Sequence, residues 1–323
     1  QCRETTVRHP RGVETLARLA LEVASRLDEA FYGEGLVHDL QARAWGHLGN
    51  ARRVCSDLVG ADEAFMKAEA CLRQGSRDPL EYASLLDLKA SLRRSQRRFE
   101  DAQKHLRQAV AIFRRMGNLH RAGRCLVSMD LTHCYAGHPE RGIPLLYQAI
   151  EMIDADKEPR LLLCARHNLF HDLVETERFV EAQKIYRETR SLYREFPDEV
   201  TQSRRRWVKG RLSLGLGRTA QAERLFLTAR DGFIAEELSY DTALVSLDLA
   251  ALYVREGRTA DLKRLSREML SIFTSLQIHR EALAALSFLR KALEAERASL
   301  ELVARVAQFL RRAEHDPGLR FEP

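Results

Sequence analysis

The sequence has little that would break a helix. Its 323 residues include only eight prolines and seventeen glycines, too few punctuating residues for many short strands joined by turns. Strand-like alternation of Val, Ile and Thr is missing. No apolar stretch reaches the roughly 18 residues of a membrane span, so no membrane partner is expected. The six cysteines, Cys2, Cys55, Cys71, Cys125, Cys134 and Cys164, include no CxxC pair and no framework spacing. They fit free thiols in a reducing cytoplasm. There is no signal-peptide pattern, and the chain opens at Gln1 rather than Met, which reads as a segment of a longer protein. A Gly-rich phosphate loop, a GxSxG elbow and an HExxH pair are all lacking. Neither enzymatic chemistry nor a cofactor is therefore expected.

What the chain does have is helix-forming content. It is 45% hydrophobic and 30% charged, enough for a sizeable core and far from a disordered composition. Leu, Ala, Arg and Glu recur throughout, which makes the fold class all-α. The formal net charge of +6 invites an anionic partner, but spread over a large surface it is no nucleic-acid signature by itself.

The helices repeat. "GRTA" occurs at Gly217–Ala220 and again forty residues later, each time ahead of a helix of similar pattern. Aligned positions Ala61, Ala102, Gly142, Ala182, Ala222 and Leu262 are followed four residues on by Phe65, Leu106, Leu146, Tyr186, Phe226 and Ser266. Seven residues on stand Ala68, Ala109, Ala149, Thr189, Ala229 and Met269. Small, large, small at i, i+4 and i+7 is one helical face that packs closely on a neighbour. An earlier apolar-periodic segment precedes each of these helices, so every unit is a helical hairpin. Gly217 and Gly257 are placed to end first helices in the left-handed conformation, and Thr219 and Thr259 to cap the second ones.

In the first unit Trp45, Leu48 and Gly49 precede Ala61, Phe65 and Ala68 at tetratricopeptide spacing. The array from about Leu36 to Phe273 resembles the tetratricopeptide repeat, with units of about forty residues instead of about 34. Asp130 and Phe170 depart from it, standing where a small residue is usual, and Ser266 replaces a large one. The resemblance implies a right-handed α-solenoid of about six helix-turn-helix units over residues 36–278. Residues 1–35 would hold an N-terminal capping helix and residues 279–323 C-terminal capping helices. Unit endings such as "AIFRRMGN" are similar to those of sensor arrays in bacterial signalling and transcriptional regulators.

In tetratricopeptide proteins the first helix of each hairpin lines the concave surface. Carried onto this chain, that places Arg43, Asn50, Arg53, Asp87, Ser91, Arg94, Arg124, Cys134, Tyr135, His167, His171, Glu175, Arg204, Trp207 and Arg211 there. Arginine forks suit carboxylates, and aromatics give rigid anchors. The resemblance therefore implies a cytoplasmic protein- or peptide-binding scaffold for an acidic or carboxylate-bearing segment. The ligand-binding residues would be Asn50, Arg53, Arg94, Arg124, Tyr135, His167, His171, Arg204, Trp207 and Arg211. Two alternatives stand beside this reading. Cys164, His167 and His171 share a helical face and, with Cys134, offer soft ligands of the kind zinc takes. The runs "RRSQRR" (93–98) and "RRRW" (204–207) could contact nucleic acid directly, although acids follow nearby and helical geometry turns alternate members apart. The oligomeric state is not set by the sequence.

Overall fold

The computed structural model describes residues 10–275, 299–313 and 319–321, with Ala282, Leu286, Ser287 and Leu289 between them. Among these residues every regular element is a helix. They are α1 (Pro10–Ser25), α2 (Glu29–Tyr32), α3 (Glu34–Val54), α4 (Leu58–Gln74), α5 (Pro79–Ser95), α6 (Phe99–Arg115), α7 (Leu119–Tyr135) and α8 (Pro139–Met152). Then follow α9 (Pro159–Glu175), α10 (Phe179–Glu195), α11 (Glu199–Gly215), α12 (Thr219–Ala235), α13 (Ser239–Arg255), α14 (Thr259–Ser275) and α15 (Leu300–Ala313). First helices begin at residues 79, 119, 159, 199 and 239, and each is 17 residues long. From α5 onward the forty-residue period is thus a pair of helices with short turns, each of 17 residues except the 14-residue α8.

The turns explain why the period is so regular. Left-handed backbone recurs within hairpins at Ser56, Arg97, Gly137, Glu177, Gly217 and Gly257, and between them at Gly117 and Glu237, so these turns share one geometry. At Gly217 (φ +74) the chain leaves α11, and the next N–H, of Arg218, donates back to the carbonyl of Ser213 at 2.8 Å. That six-residue closure satisfies a carbonyl the helix end would leave bare. The threonine caps do not form as the sequence suggests. Arg218 occupies the cap position and Thr219 is already the first helical residue, so its side chain accepts no cap bond. The hydroxyl of Thr259 instead donates to Gly257 O at 3.5 Å. Side-chain caps come from Asp57, Asp78, Asn118 and Asp198, which accept from N–H groups one turn inside their helices.

The small-large-small faces form the core. Ala61, Phe65, Ala68, Ala102, Leu106, Ala109, Leu146, Ala149, Ala182, Thr189, Ala222, Phe226 and Ala229 are all 0% exposed. In two hairpins the large residue meets a first-helix glycine that sets how close the helices come. A Cβ on Gly210 would lie 2.6 Å from Phe226 Cε1, and one on Gly49 would lie 3.0 Å from Phe65 Cε1. Phe170, where a small residue was expected, packs its ring 5.3 Å from that of Tyr186. Ser266, where a large residue is usual, is buried and donates its hydroxyl to Lys263 O at 3.0 Å. Gly210→Ala should therefore overpack its hairpin. The expected net cost is roughly 1–2 kcal/mol after the gain in helix propensity, measured by urea unfolding.

The contacts divide the chain into two compact units, Gln1–Ala165 and Arg166–Pro323, with the boundary inside α9. In the first, α1 covers the array's start, burying Val13 and Ala17 against Leu48 and Ala51 of α3. In the second, Val303, Val306, Phe309 and Leu310 of α15 join a cluster with Phe226, Phe233, Leu247 and Tyr253. Much of the 279–323 stretch expected to hold capping helices lies outside the described residues, as does Cys2. The other five cysteines carry free thiols. No helix among the described residues is long and apolar enough to cross a membrane.

Candidate functional site

The arginines of the first helices fall into two groups according to what stands one repeat further on. In the first unit, Arg43 of α3 makes a two-pronged contact with Glu81 of α5, at 2.7 and 2.5 Å. Its hydrogen bond to Glu81 raises the guanidinium's pKa. Arg124 of α7 pairs with Glu158, which His120 also approaches at 3.3 Å. In the second unit, Arg204 meets Asp241 at 3.3 Å. Arg211 binds Glu175 on one side and Asp248, at 3.0 Å, on the other. The acids Glu81, Asp241 and Asp248 lie 37 or 38 residues beyond their arginines. At that offset the next first helix presents its own face to the one before. These acids were missed in the sequence, and the recurrent offset is the signal that would have found them.

Arg53 and Arg94 break the pattern. The residues 38 beyond them are Ser91 and Thr132, and neither arginine has a carboxylate within ion-pair distance among the described residues. Arg53 donates to Asn50 Oδ1 at 3.0 Å and to Ser95 Oγ at 3.3 Å. Arg94 reaches Ser128 O at only 3.5 Å and lies 5.9 Å from the centre of the Tyr135 ring. Burial, then the like charge of Arg94, brings the Arg53 pKa down to about 10. Burial lowers that of Arg94 too, against the opposing pull of Tyr135 and Asp87. With Asp87 counted, this cluster of α3, α5 and α7 residues keeps a net charge of +1. Asn50 and Arg53 stand three apart on one face of α3, while Asp87, Ser91 and Arg94 share one face of α5.

The remaining candidates are mostly in the second unit, and most are held by internal partners. Trp207 donates its indole N–H to Asp248 at 2.6 Å and packs edge-on against Phe233, 5.9 Å between centroids. His167 Nδ1 lies 2.8 Å from the Tyr193 hydroxyl. Burial, with His171 and Arg204 nearby, brings its pKa down to about 3. The His171 ring nitrogens face Asp172 at 3.1 Å and Glu175 at 3.5 Å. In the first unit, Cys134 Sγ is 3.8 Å from Asp130 Oδ1, and Cys164 is exposed. Burial would push Glu175 up, but Arg211, His171 and Arg311 outweigh it and hold the carboxyl at about 2.

The two basic runs are dispersed. Arg93 pairs with Asp62, Arg97 lies over Phe99 and Arg98 pairs with Asp101. Arg205 lies over Tyr193 and Arg206 pairs with Glu199. Adjacent members thus turn to different partners, as a helix dictates.

Comparison with solved structures places this arrangement among known architectures. A Rap protein complexed with competence and sporulation factor aligns over 98% of this chain and 88% of its own, at 13% identity and a TM-score of 0.64. The fold is a tetratricopeptide-type helical repeat. NprR in complex with its cognate peptide NprX aligns over 86% of this chain and 83% of its own, at 14% identity and TM-score 0.52. Aspartyl phosphate phosphatase F from Bacillus subtilis aligns over 88% and 74%, at 14% identity and TM-score 0.55. No family model and no curated relative matches the sequence. At these identities the tetratricopeptide likeness is one of fold alone.

Proposed function

We propose that the chain is a peptide-binding regulatory module with no chemistry of its own. It takes an acidic or carboxylate-bearing segment on the first-helix face of its first unit. The observation that carries this reading is the Arg53–Arg94 pair. Two half-buried guanidinium groups that repel one another and lack an ion-pair partner are costly to keep. A carboxylate supplied from outside would relieve both. Tyr135 adds a flat, rigid surface that loses little entropy on binding. Two structural neighbours, the Rap protein and NprR, were solved with competence and sporulation factor and with a cognate peptide respectively, which supports such a role. Arg124, Arg204 and Arg211 then serve chiefly to tie successive repeats together.

Synthetic, C-terminally amidated hexapeptides of glycine and serine, carrying an uncharged BODIPY label and one aspartate or one lysine, test this by fluorescence anisotropy. The aspartate peptide should bind and the lysine peptide should not. Each of Arg53→Gln and Arg94→Gln should weaken binding by about ten-fold or more, since a hydrogen bond to a charged group contributes about 1.5–3 kcal/mol. Arg43→Gln, whose native partner is Glu81, should change affinity less than two-fold. Equal binding of both peptides, or indifference to Arg94→Gln, would sink the proposal.

A further inference from the structure

Beside the arginine pair, on the same helices, lies a cavity of about 340 Å³. Its apolar wall is made by Ala42 and Gly46 of α3, Leu72 of α4, and Leu85 and Leu88 of α5. Gly46 keeps it open, because a Cβ there would stand 3.3 Å from Leu88 Cδ1. The charged groups at its rim are already engaged: Arg43 by Glu81, and Arg121 by the face of Phe113, 4.6 Å from the ring centre. A charged guest would have to displace those contacts, whereas an aliphatic side chain would only cover the exposed carbon surface.

Position relative to the arginines gives the cavity meaning. Gly46, Asn50 and Arg53 follow at i, i+4 and i+7 and so share one face of α3. Seven residues of helix span about 10.5 Å, and an extended chain covers that distance in about three residues. Between the two points Asn50 accepts from Arg53 through Oδ1, so its amide nitrogen keeps its donors for a peptide carbonyl. Charge complementarity fixes one end of the guest and the cavity fixes the other.

We infer that this face is a two-point reader, selecting an extended peptide whose aliphatic side chain lies about three residues from its carboxylate. The inference rests on the proposed peptide-binding function and adds a spacing rule to it. The probe is the aspartate hexapeptide already described, compared with versions bearing a leucine one, three or five residues from the aspartate. Leucine at three should tighten binding at least five-fold over the leucine-free peptide, and the other spacings should gain less than two-fold. Gly46→Leu should erase that gain while leaving the leucine-free affinity within two-fold. Ser84→Leu, which fills the same cavity from α5, repeats the test should Gly46→Leu fail to fold by circular dichroism.

The outcomes separate the two ideas. If the leucine-free peptide binds and Arg94→Gln weakens it, but leucine brings no gain at any spacing, the two-point reading is wrong and the binding function stands. A gain that is equal at all spacings, or that survives both cavity-filling variants, overturns it as well. If no aspartate peptide binds at all, both readings fall.

Discussion

Arg211→Ala should destabilise the protein by roughly 2–4 kcal/mol in denaturant unfolding, more than replacement of any other first-helix arginine named above. The guanidinium lies between Glu175 and Asp248, with 18% of its side chain exposed and 23% of each acid. Removing it leaves two largely desolvated carboxylates facing one another, along with the Trp207 indole that shares Asp248. Breaking a buried pair typically costs about 3–5 kcal/mol, and the residual exposure trims that figure. Arg311 of α15 approaches Glu175 at 3.5 Å and compensates only in part. Arg211→Met with Glu175→Gln and Asp248→Asn should recover much of the loss, because no unpaired charge then remains. A cost below about 0.5 kcal/mol for Arg211→Ala would place the pair among surface bridges that hold nothing together.

The second large effect is acid sensitivity set by His167. Its pKa in the folded protein is about 3, against about 6.5 in an unfolded chain. The unfolded state therefore binds more protons throughout that interval, and stability falls as pH drops below about 6.5. The slope from one such group approaches about 1.4 kcal/mol per pH unit, and its partial exposure limits the total loss to roughly 2–3 kcal/mol by pH 4. His105 and His133, which burial also holds below the usual range, add to the same slope. Glu175 has the same sign but acts later: its contribution is full above about 4.5 and fades as pH falls toward about 2. His167→Gln should therefore flatten the unfolding free energy between pH 6.5 and 4.5 by close to one proton's slope. An unchanged slope in that variant would show that His167 titrates normally.

The fold was largely written in the spacing of small and large residues. Ala61, Phe65 and Ala68 mark a buried face because one helix must approach another, and each repeat restates that constraint. Gly217 is legible for a related reason, since only a left-handed residue turns the chain so tightly without strain. Thr219 misled because cap propensity does not locate a helix start to one residue. The Arg218 N–H already closes the turn, which shifts the cap one position back.

The candidate site was legible only in part. Repeat spacing placed the arginines on first helices, where they lie, but their ionic partners come from the neighbouring repeat, and Asp241 and Asp248 were not weighed against Arg204 and Arg211. Trp207 read as an open aromatic platform and is instead wedged against Phe233 with its N–H engaged. What distinguishes Arg53 and Arg94 is an absence one repeat on, a serine and a threonine where an acid would close the pair. Only the register of packed helices reveals it.

That distinction makes the central claim measurable without a known partner. An arginine kept for structure and one kept for binding respond oppositely to removal, because a site held ready for a ligand carries strain the ligand relieves. The direct test is the urea unfolding free energy of the wild type and of Arg94→Gln, each alone and with saturating aspartate hexapeptide. The account predicts that Arg94→Gln alone is at least as stable as the wild type, and that the peptide stabilises the wild type by at least about 1.4 kcal/mol more than the variant, the equivalent of a ten-fold affinity loss. An Arg94→Gln protein destabilised by more than about 1 kcal/mol, yet still stabilised by the peptide as the wild type is, would contradict it.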